Sequence, residues 1–320
     1  MTDRRAPSCR TDHESSCAMA SGTTSHICVC VCTYKRPELL RRLLEELARQ
    51  QTDGLFTFSV VVVDNDSQES AKAEVLDFAR YSSIPASYQV EPRQNISLAR
   101  NRALAGSSGA FIALIDDDEF PSAIWLLTLF NALHEHAADG VLGPVQPFFD
   151  RGVPKWIVKG RFFERPSYRT GLIIDGKKGR TGNALIKRQL CVGEEQPFRP
   201  EFRSGEDQDF FERMIQKGHV FVWCNEATVY ETIPPARWKR TFMLRKALLQ
   251  GECSTLNPSQ RMRQIARSLI AIPLYAMASP FALLFGQHNL MILLVKLFDH
   301  IGQLLGVMGV DVVKQAYVTE

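Results

Sequence analysis

Between Ile27 and Ile115 the chain alternates short apolar runs with segments of helical periodicity, and this alternation restricts the fold more than any other feature. Residues 27–33 are apolar and rich in β-branched side chains. Pro37 then opens residues 38–50, where Leu39, Leu40, Leu43, Leu44 and Leu47 recur at helical spacing. Residues 58–63, 86–90 and 110–115 repeat the strand pattern, with helical patterns at 71–80 and 97–105 between them. Strands apolar on both faces and separated by helices predict a parallel sheet covered on both sides. Such sheets bind ligands beyond the carboxyl ends of their strands. The polar clusters Thr33-Tyr34-Lys35-Arg36, Asp64-Asn65-Asp66 and Asp116-Asp117-Asp118-Glu119 are therefore expected at one crevice.

The last of these clusters sets consecutive carboxylates at the end of an apolar strand. Buried carboxylates must pair or neutralise, and oxygen-rich clusters suit hard divalent ions such as magnesium and manganese. If the strand stays extended, Asp116 and Asp118 share a face and Asp117 points away. Glu119 then only begins the turn before Pro121, which opens a helix running to about His136.

Composition removes some functional classes. A hydrophobic content of 45% and 23% charged residues describe an ordered chain with a large core, and a net charge of +3 is too small to call for a nucleic-acid partner. Cys28, Cys30 and Cys32 alternate on one strand and so share a face, which describes packing thiols in a reducing compartment. Residues 1–26 are polar and hold no apolar run of signal-peptide length, so they read as a disordered arm.

Farther along, residues 141–149 read as a strand broken by Pro144 and Pro147, and residues 150–180 as a mobile segment rich in Gly, Pro and charge. Strands are expected at 184–186, 220–223 and 228–230, and a helix at 210–217 with Glu206 and Asp207 near its first turn. Gly171 to Lys178 has the outline of a phosphate-binding loop but lacks the final hydroxyl. Neither the dinucleotide fingerprint nor a nucleophile elbow occurs.

Six motifs in order then carry a resemblance: Thr33 to Pro37, Val63-Asp64-Asn65-Asp66-Ser67, Ala99-Arg100-Asn101, Ile115 to Glu119, Thr181-Gly182-Asn183 and Gly205-Glu206-Asp207. Together they resemble glycosyltransferase family 2 over residues 27–250, and within it the bacterial exopolysaccharide transferases of the succinoglycan type. The resemblance implies an α/β GT-A fold, a nucleotide-sugar donor, UDP-linked, a Mn2+ or Mg2+ ion, and inversion at the anomeric carbon. By position it gives Asp64 to the nucleobase and Thr33, Tyr34 and Arg36 to the nucleotide. Asp116 falls near the ribose and Asp118 on the metal, with Asp117 between them on the donor side. Asp207 falls at the catalytic base with Glu206 beside it. Arg100 is a candidate for the donor diphosphate and Asn183 for a sugar hydroxyl. Glu231 stands nearest the place where many relatives put a histidine metal ligand.

From Arg237 to Arg267 eight Lys or Arg residues face one acid, Glu252, a composition suited to an anionic leaflet. Residues 268–286 then carry no charge, a length of roughly 28 Å if helical, close to a bilayer core. Residues 290–310 are apolar except for a stripe of Lys296, Asp299, His300 and Gln303, the pattern of a helix packed on a partner. The expected organisation is a disordered arm at 1–26, a catalytic domain at 27–236, a basic interfacial segment at 237–267 and a membrane-associated hairpin at 268–312. That hairpin either crosses the bilayer with both ends cytoplasmic or lies in the interface.

The expected function is transfer of a sugar to a growing, lipid-linked glycan on the cytoplasmic face of the plasma (inner) membrane. Two alternatives stand beside it. One is transfer to polyprenyl phosphate itself; the other is a catalytically silent membrane scaffold.

Overall fold

The computed structural model describes residues 25–202, 204–254 and 261–310, so the arm expected at 1–26 lies outside them apart from Ser25 and His26. The first half follows the predicted alternation: β1 (Ser25–Thr33), α1 (Pro37–Leu47), β2 (Phe56–Asp64), α2 (Lys72–Tyr81), β3 (Ala86–Val90), α3 (Ile96–Gly106) and β4 (Phe111–Asp116). These strands are parallel and ordered β3-β2-β1-β4. Alternate residues of β1 and β2 build two cores. Val29, Val31, Val60 and Val62 pack with Leu40, Leu43, Leu44 and Leu47 of α1 on one face, and Cys28, Cys30, Val61 and Val63 pack with Ala99 and Ala103 of α3 on the other. Each fully buried leucine of α1 contributes about 1.5–3 kcal/mol. Cys28 and Cys30 are buried free thiols on that second face.

The remainder comprises β5 (Glu119–Pro121), α4 (Trp125–Glu135), β6 (Gly140–Leu142), β7 (Val145–Phe148), α5 (Lys155–Gly160), β8 (Asn183–Lys187), α6 (Glu206–Gln216), β9 (Phe221–Trp223) and β10 (Val229–Thr232). The large sheet is mixed, not wholly parallel. Its order is β3-β2-β1-β4-β8-β6-β9, with β8 antiparallel to both neighbours. Running backwards, β8 brings Asn183 opposite Ile115 and so delivers Thr181 and Gly182 to the acidic end of β4. Pro121 closes a strand instead of opening a helix; β5 pairs with β10 in a small sheet that sets Glu119 directly across from Glu231.

Three helices complete the described chain: α7 (Arg240–Ser254), α8 (Arg261–Leu284) and α9 (Gln287–Val307). α9 lies against α7 so closely that a side chain at Gly251 would strike the Asp299 carbonyl, and one at Gly302 the Leu248 carbonyl. Met291 of α9 joins Met243 of α7 and Ile157 of α5 in a third, small core. The polar stripe of α9 is used within the hairpin. Fully buried Ser268 of α8 meets His300 Nδ1 at 2.9 Å and donates to Gln303 Oε1 at 2.8 Å.

Candidate active site

The carboxyl ends of β1, β2 and β4 open into a cleft of about 320 Å³ whose walls include Thr33, Tyr34, Arg36, Asn65, Arg100 and the acids 116–118. Its far wall is formed by Glu231, Arg237 and the cleft side of α7, with Phe242 and Lys246.

The acids do not continue the strand alternation. β4 ends at Asp116 and the chain turns through Asp117 and Asp118, so Asp117 points into the cleft and not away from it. Thr33 Oγ1 donates to Asp117 Oδ2 at 2.8 Å and Arg36 Nη1 to Oδ1 at 3.2 Å. Burial, with the charge of Asp118 next, pushes the Asp117 carboxyl up to about 7. Asp118 Oδ2 accepts from Arg36 at 3.2 Å and from Arg237 Nη2 at 2.8 Å. Asp116, with 40% of its side chain exposed, accepts from Arg100 Nη2 at 3.4 Å.

Glu119 is a buried member of the site, not a turn residue. Its Oε2 accepts the Asp116 amide at 3.1 Å, while Oε1 is buried with no hydrogen-bond partner among the described residues. Burial and the neighbouring Asp116 raise its carboxyl well above the usual range, which favours the protonated form. The backbone of Gly182 presses on this pair: a Cβ there would sit 2.5 Å from Glu119 Oε1 and 3.2 Å from Asp116 Oδ2. Thr-Gly-Asn thus needs its glycine for close approach.

Two arginines hold Glu231. Arg165 donates to Oε2 at 2.5 Å and Arg237 to Oε1 at 2.8 Å. With one arginine on each oxygen, Glu231 as placed anchors two cations beside the acidic turn. Arg165 comes from the Gly- and Pro-rich segment, where no periodicity marks a functional residue.

Beside the cleft, reached through Arg100, stand Glu206 and Asp207, the first residues of α6, which follow Gly205 at φ +88°. Glu206 is buried and paired with Arg100, the same guanidinium that reaches Asp116. Burial works against the charge on Arg100, but Glu206 and Asp116 outweigh it and hold the guanidinium firmly protonated. Asp207 accepts from the Gln208 amide at 2.7 Å and lies 3.8 Å from Arg180 Nη1. The helix terminus favours its anion, but burial and then the charge of Glu206 prevail and raise its carboxyl to about 6.

Two of the expected ligand residues are engaged within the protein. Asp64 is wholly buried; its Oδ1 accepts from the Asp66 amide at 2.9 Å, and its Oδ2 from the Ala71 amide at 2.8 Å and Tyr88 Oη at 3.0 Å. It braces the loop between β2 and α2, and its neighbour Asn65 is the residue that lines the cleft. Asn183 is equally committed: Trp125 Nε1 donates to its Oδ1 at 2.8 Å, and its Nδ2 donates to the Pro144 and Ala227 carbonyls at 3.0 and 2.6 Å. Each polar atom of its side chain is paired within the protein.

Residues 28–190 match the family described as Glycosyl transferase family 2. Over 232 residues, 72% of this chain and 74% of its relative, the sequence is 34% identical to "Succinoglycan biosynthesis protein ExoM" of Rhizobium meliloti (strain 1021). The chain belongs to glycosyltransferase family 2. Its fold is GT-A-like. A structure titled S. aureus TarS 1-349 in complex with UDP superposes with a TM-score of 0.52 at 19% identity, covering 92% of this chain and 98% of that one. The mannosyltransferase PcManGT from Pyrobaculum calidifontis, in complex with GDP-Man and Mn2+, gives a TM-score of 0.59 at 16% identity over 88% of each chain.

For a member of this family, the acidic turn can be tested as a metal site. Asp116 Oδ2 and Asp118 Oδ1 make no hydrogen bond among the described residues, and both side chains line the cleft. No three acids, histidines or cysteines converge on a cation position among those residues. The protein thus offers two carboxylates, a set that fits magnesium or manganese arriving with phosphate oxygens, which complete such shells.

Proposed function

We propose that the chain is an inverting transferase that moves a sugar from a UDP-type nucleotide donor to a growing, lipid-linked glycan. We place the reaction at the cytoplasmic face of the plasma (inner) membrane. The observation that carries this reading is the link through Arg100, which lines the cleft and ties Glu206, next to Asp207, to Asp116 of the acidic turn.

Asp118 and Asp116 would hold a Mn2+ or Mg2+ ion, which when bound supplies a positive charge to the diphosphate leaving group. Arg36 and Arg237, now on Asp118, bring fixed cations to the same place and add stabilisation as negative charge develops there. Thr33 and Tyr34 with Asn65 line the nucleotide end of the cleft. Asp207 takes the proton from the acceptor hydroxyl as that oxygen attacks the anomeric carbon from the face opposite the departing diphosphate.

The test is donor turnover with each divalent ion, comparing Asp118→Asn and Asp207→Asn. The reading expects Asp118→Asn to weaken both donor binding and turnover, and Asp207→Asn to abolish transfer while donor binding persists. Full transfer by both variants would remove these roles. Acceptors carrying a lipid monophosphate or a lipid-linked glycan separate the two acceptor classes.

A further inference from the structure

The outer side of the C-terminal hairpin takes no part in the cleft. α9 is fastened to the catalytic body along its length. Arg240 Nη2 donates to Gln287 Oε1 at 2.9 Å at one end, Met291 packs on Met243 and Ile157 nearby, and Gly302 lies against Leu248 toward the other end. The helix that α9 grips, α7, also lines the cleft through Phe242 and Lys246. An α9 that crossed a bilayer would carry α7, with exposed Arg240 and Arg245, into hydrocarbon, where charged side chains are expensive.

α8 is placed differently: it packs along α9 and meets α7 at its end, where Gln264 Nε2 donates to the Ser254 carbonyl at 3.3 Å. Away from buried Ser268 it exposes Ile270, Leu274, Met277, Phe281 and Leu284, each between 60% and 81% accessible. Their spacing of four, three, four and three residues makes one continuous stripe. Arg263 and Arg267, both exposed, begin the same stripe, and α8 contains no acidic residue. An apolar face headed by cations matches an anionic bilayer surface in both polarity and charge.

We propose that the hairpin is a monotopic anchor. α8 lies in the interface of an anionic bilayer with its stripe in the acyl boundary, and the turn between α8 and α9 stays on the side of the catalytic domain. This inference rests on the reading of the chain as a membrane-associated transferase, and the experiment separates the two.

A cysteine placed at the exposed turn, Phe285→Cys, is treated in intact cells with a membrane-impermeant maleimide and again after detergent solubilisation. Labelling only after solubilisation is expected. Labelling in intact cells would show that α8 crosses and would overturn the monotopic anchor while leaving membrane association in place. In parallel, purified full-length protein is floated with vesicles of phosphatidylglycerol and phosphatidylcholine, or of phosphatidylcholine alone. Flotation is expected with the anionic vesicles and should fall about tenfold in Leu274→Glu/Phe281→Glu, whose changes are on the surface, with donor hydrolysis in detergent unchanged. Protein that never floats would overturn both readings, as would a dimer that the same double variant dissociates, since a second copy would then cover the stripe.

Discussion

Arg237 places one guanidinium nitrogen 2.8 Å from Asp118 Oδ2 and another 2.8 Å from Glu231 Oε1, so one side chain ties the acidic turn to the small sheet. All three side chains are nearly buried, at 13%, 7% and 11% exposure. Removing the cation leaves Asp118 with Arg36 and Glu231 with Arg165.

Arg237→Ala should therefore destabilise the fold by about 1.5–3 kcal/mol, the range for a hydrogen bond to a charged group, and also weaken donor binding. Arg237→Lys should recover only part of this, because an ammonium cannot fork to both carboxylates as a guanidinium does. Urea unfolding and donor titration measure the two effects. Wild-type stability in the alanine variant would refute the anchoring role.

The pH dependence follows from Asp207. A base acts as the carboxylate, and with its carboxyl at about 6, kcat/KM should rise with pH below that value and level off above it. After burial, the charge of Glu206 is the next cause of the upward shift. Glu206→Gln removes that repulsion and should move the midpoint to lower pH. A midpoint that stays or rises would separate Asp207 from the rate.

Asp64 braces the loop between β2 and α2. Asp64→Ala leaves two buried amides and the Tyr88 hydroxyl without an acceptor and should cost about 3 kcal/mol or more, given roughly 1–3 kcal/mol for each unsatisfied group. Tyr88→Phe should cost about 1 kcal/mol. Donor KM in the folded fraction should stay close to wild type for Tyr88→Phe. Loss of nucleotide affinity at unchanged stability in Asp64→Ala would return this residue to the base-binding role.

Gly251 sets the distance between α7 and α9. A methyl group there meets the Asp299 carbonyl, so Gly251→Ala should force the helices apart despite the helix propensity that alanine adds. Limited proteolysis of the 261–310 segment should speed up relative to wild type.

The sequence by itself determined the alternating half of the sheet, the identity of the polar strand ends, and the family. Period-two and period-3.6 patterns are local, and apolar strands such as residues 60–63 have no alternative to burial on both faces. Motif order along the chain likewise needs no coordinates. Only the tertiary structure decided which of those polar residues remain available.

Asp64 and Asn183 sit within motifs, but apart from the local Asp66 amide their partners lie 7 to 58 residues away, where no spacing rule connects them. Asp117 faces the cleft because the strand stops one residue before it, and Arg165 joins the site from a segment without periodicity. The direction of β8 was also hidden, since strand polarity depends on the path of the chain and not on its apolar pattern. Side-chain chemistry is written residue by residue, whereas hydrogen-bond satisfaction is settled between distant segments, and in this protein the second decides which carboxylates can act.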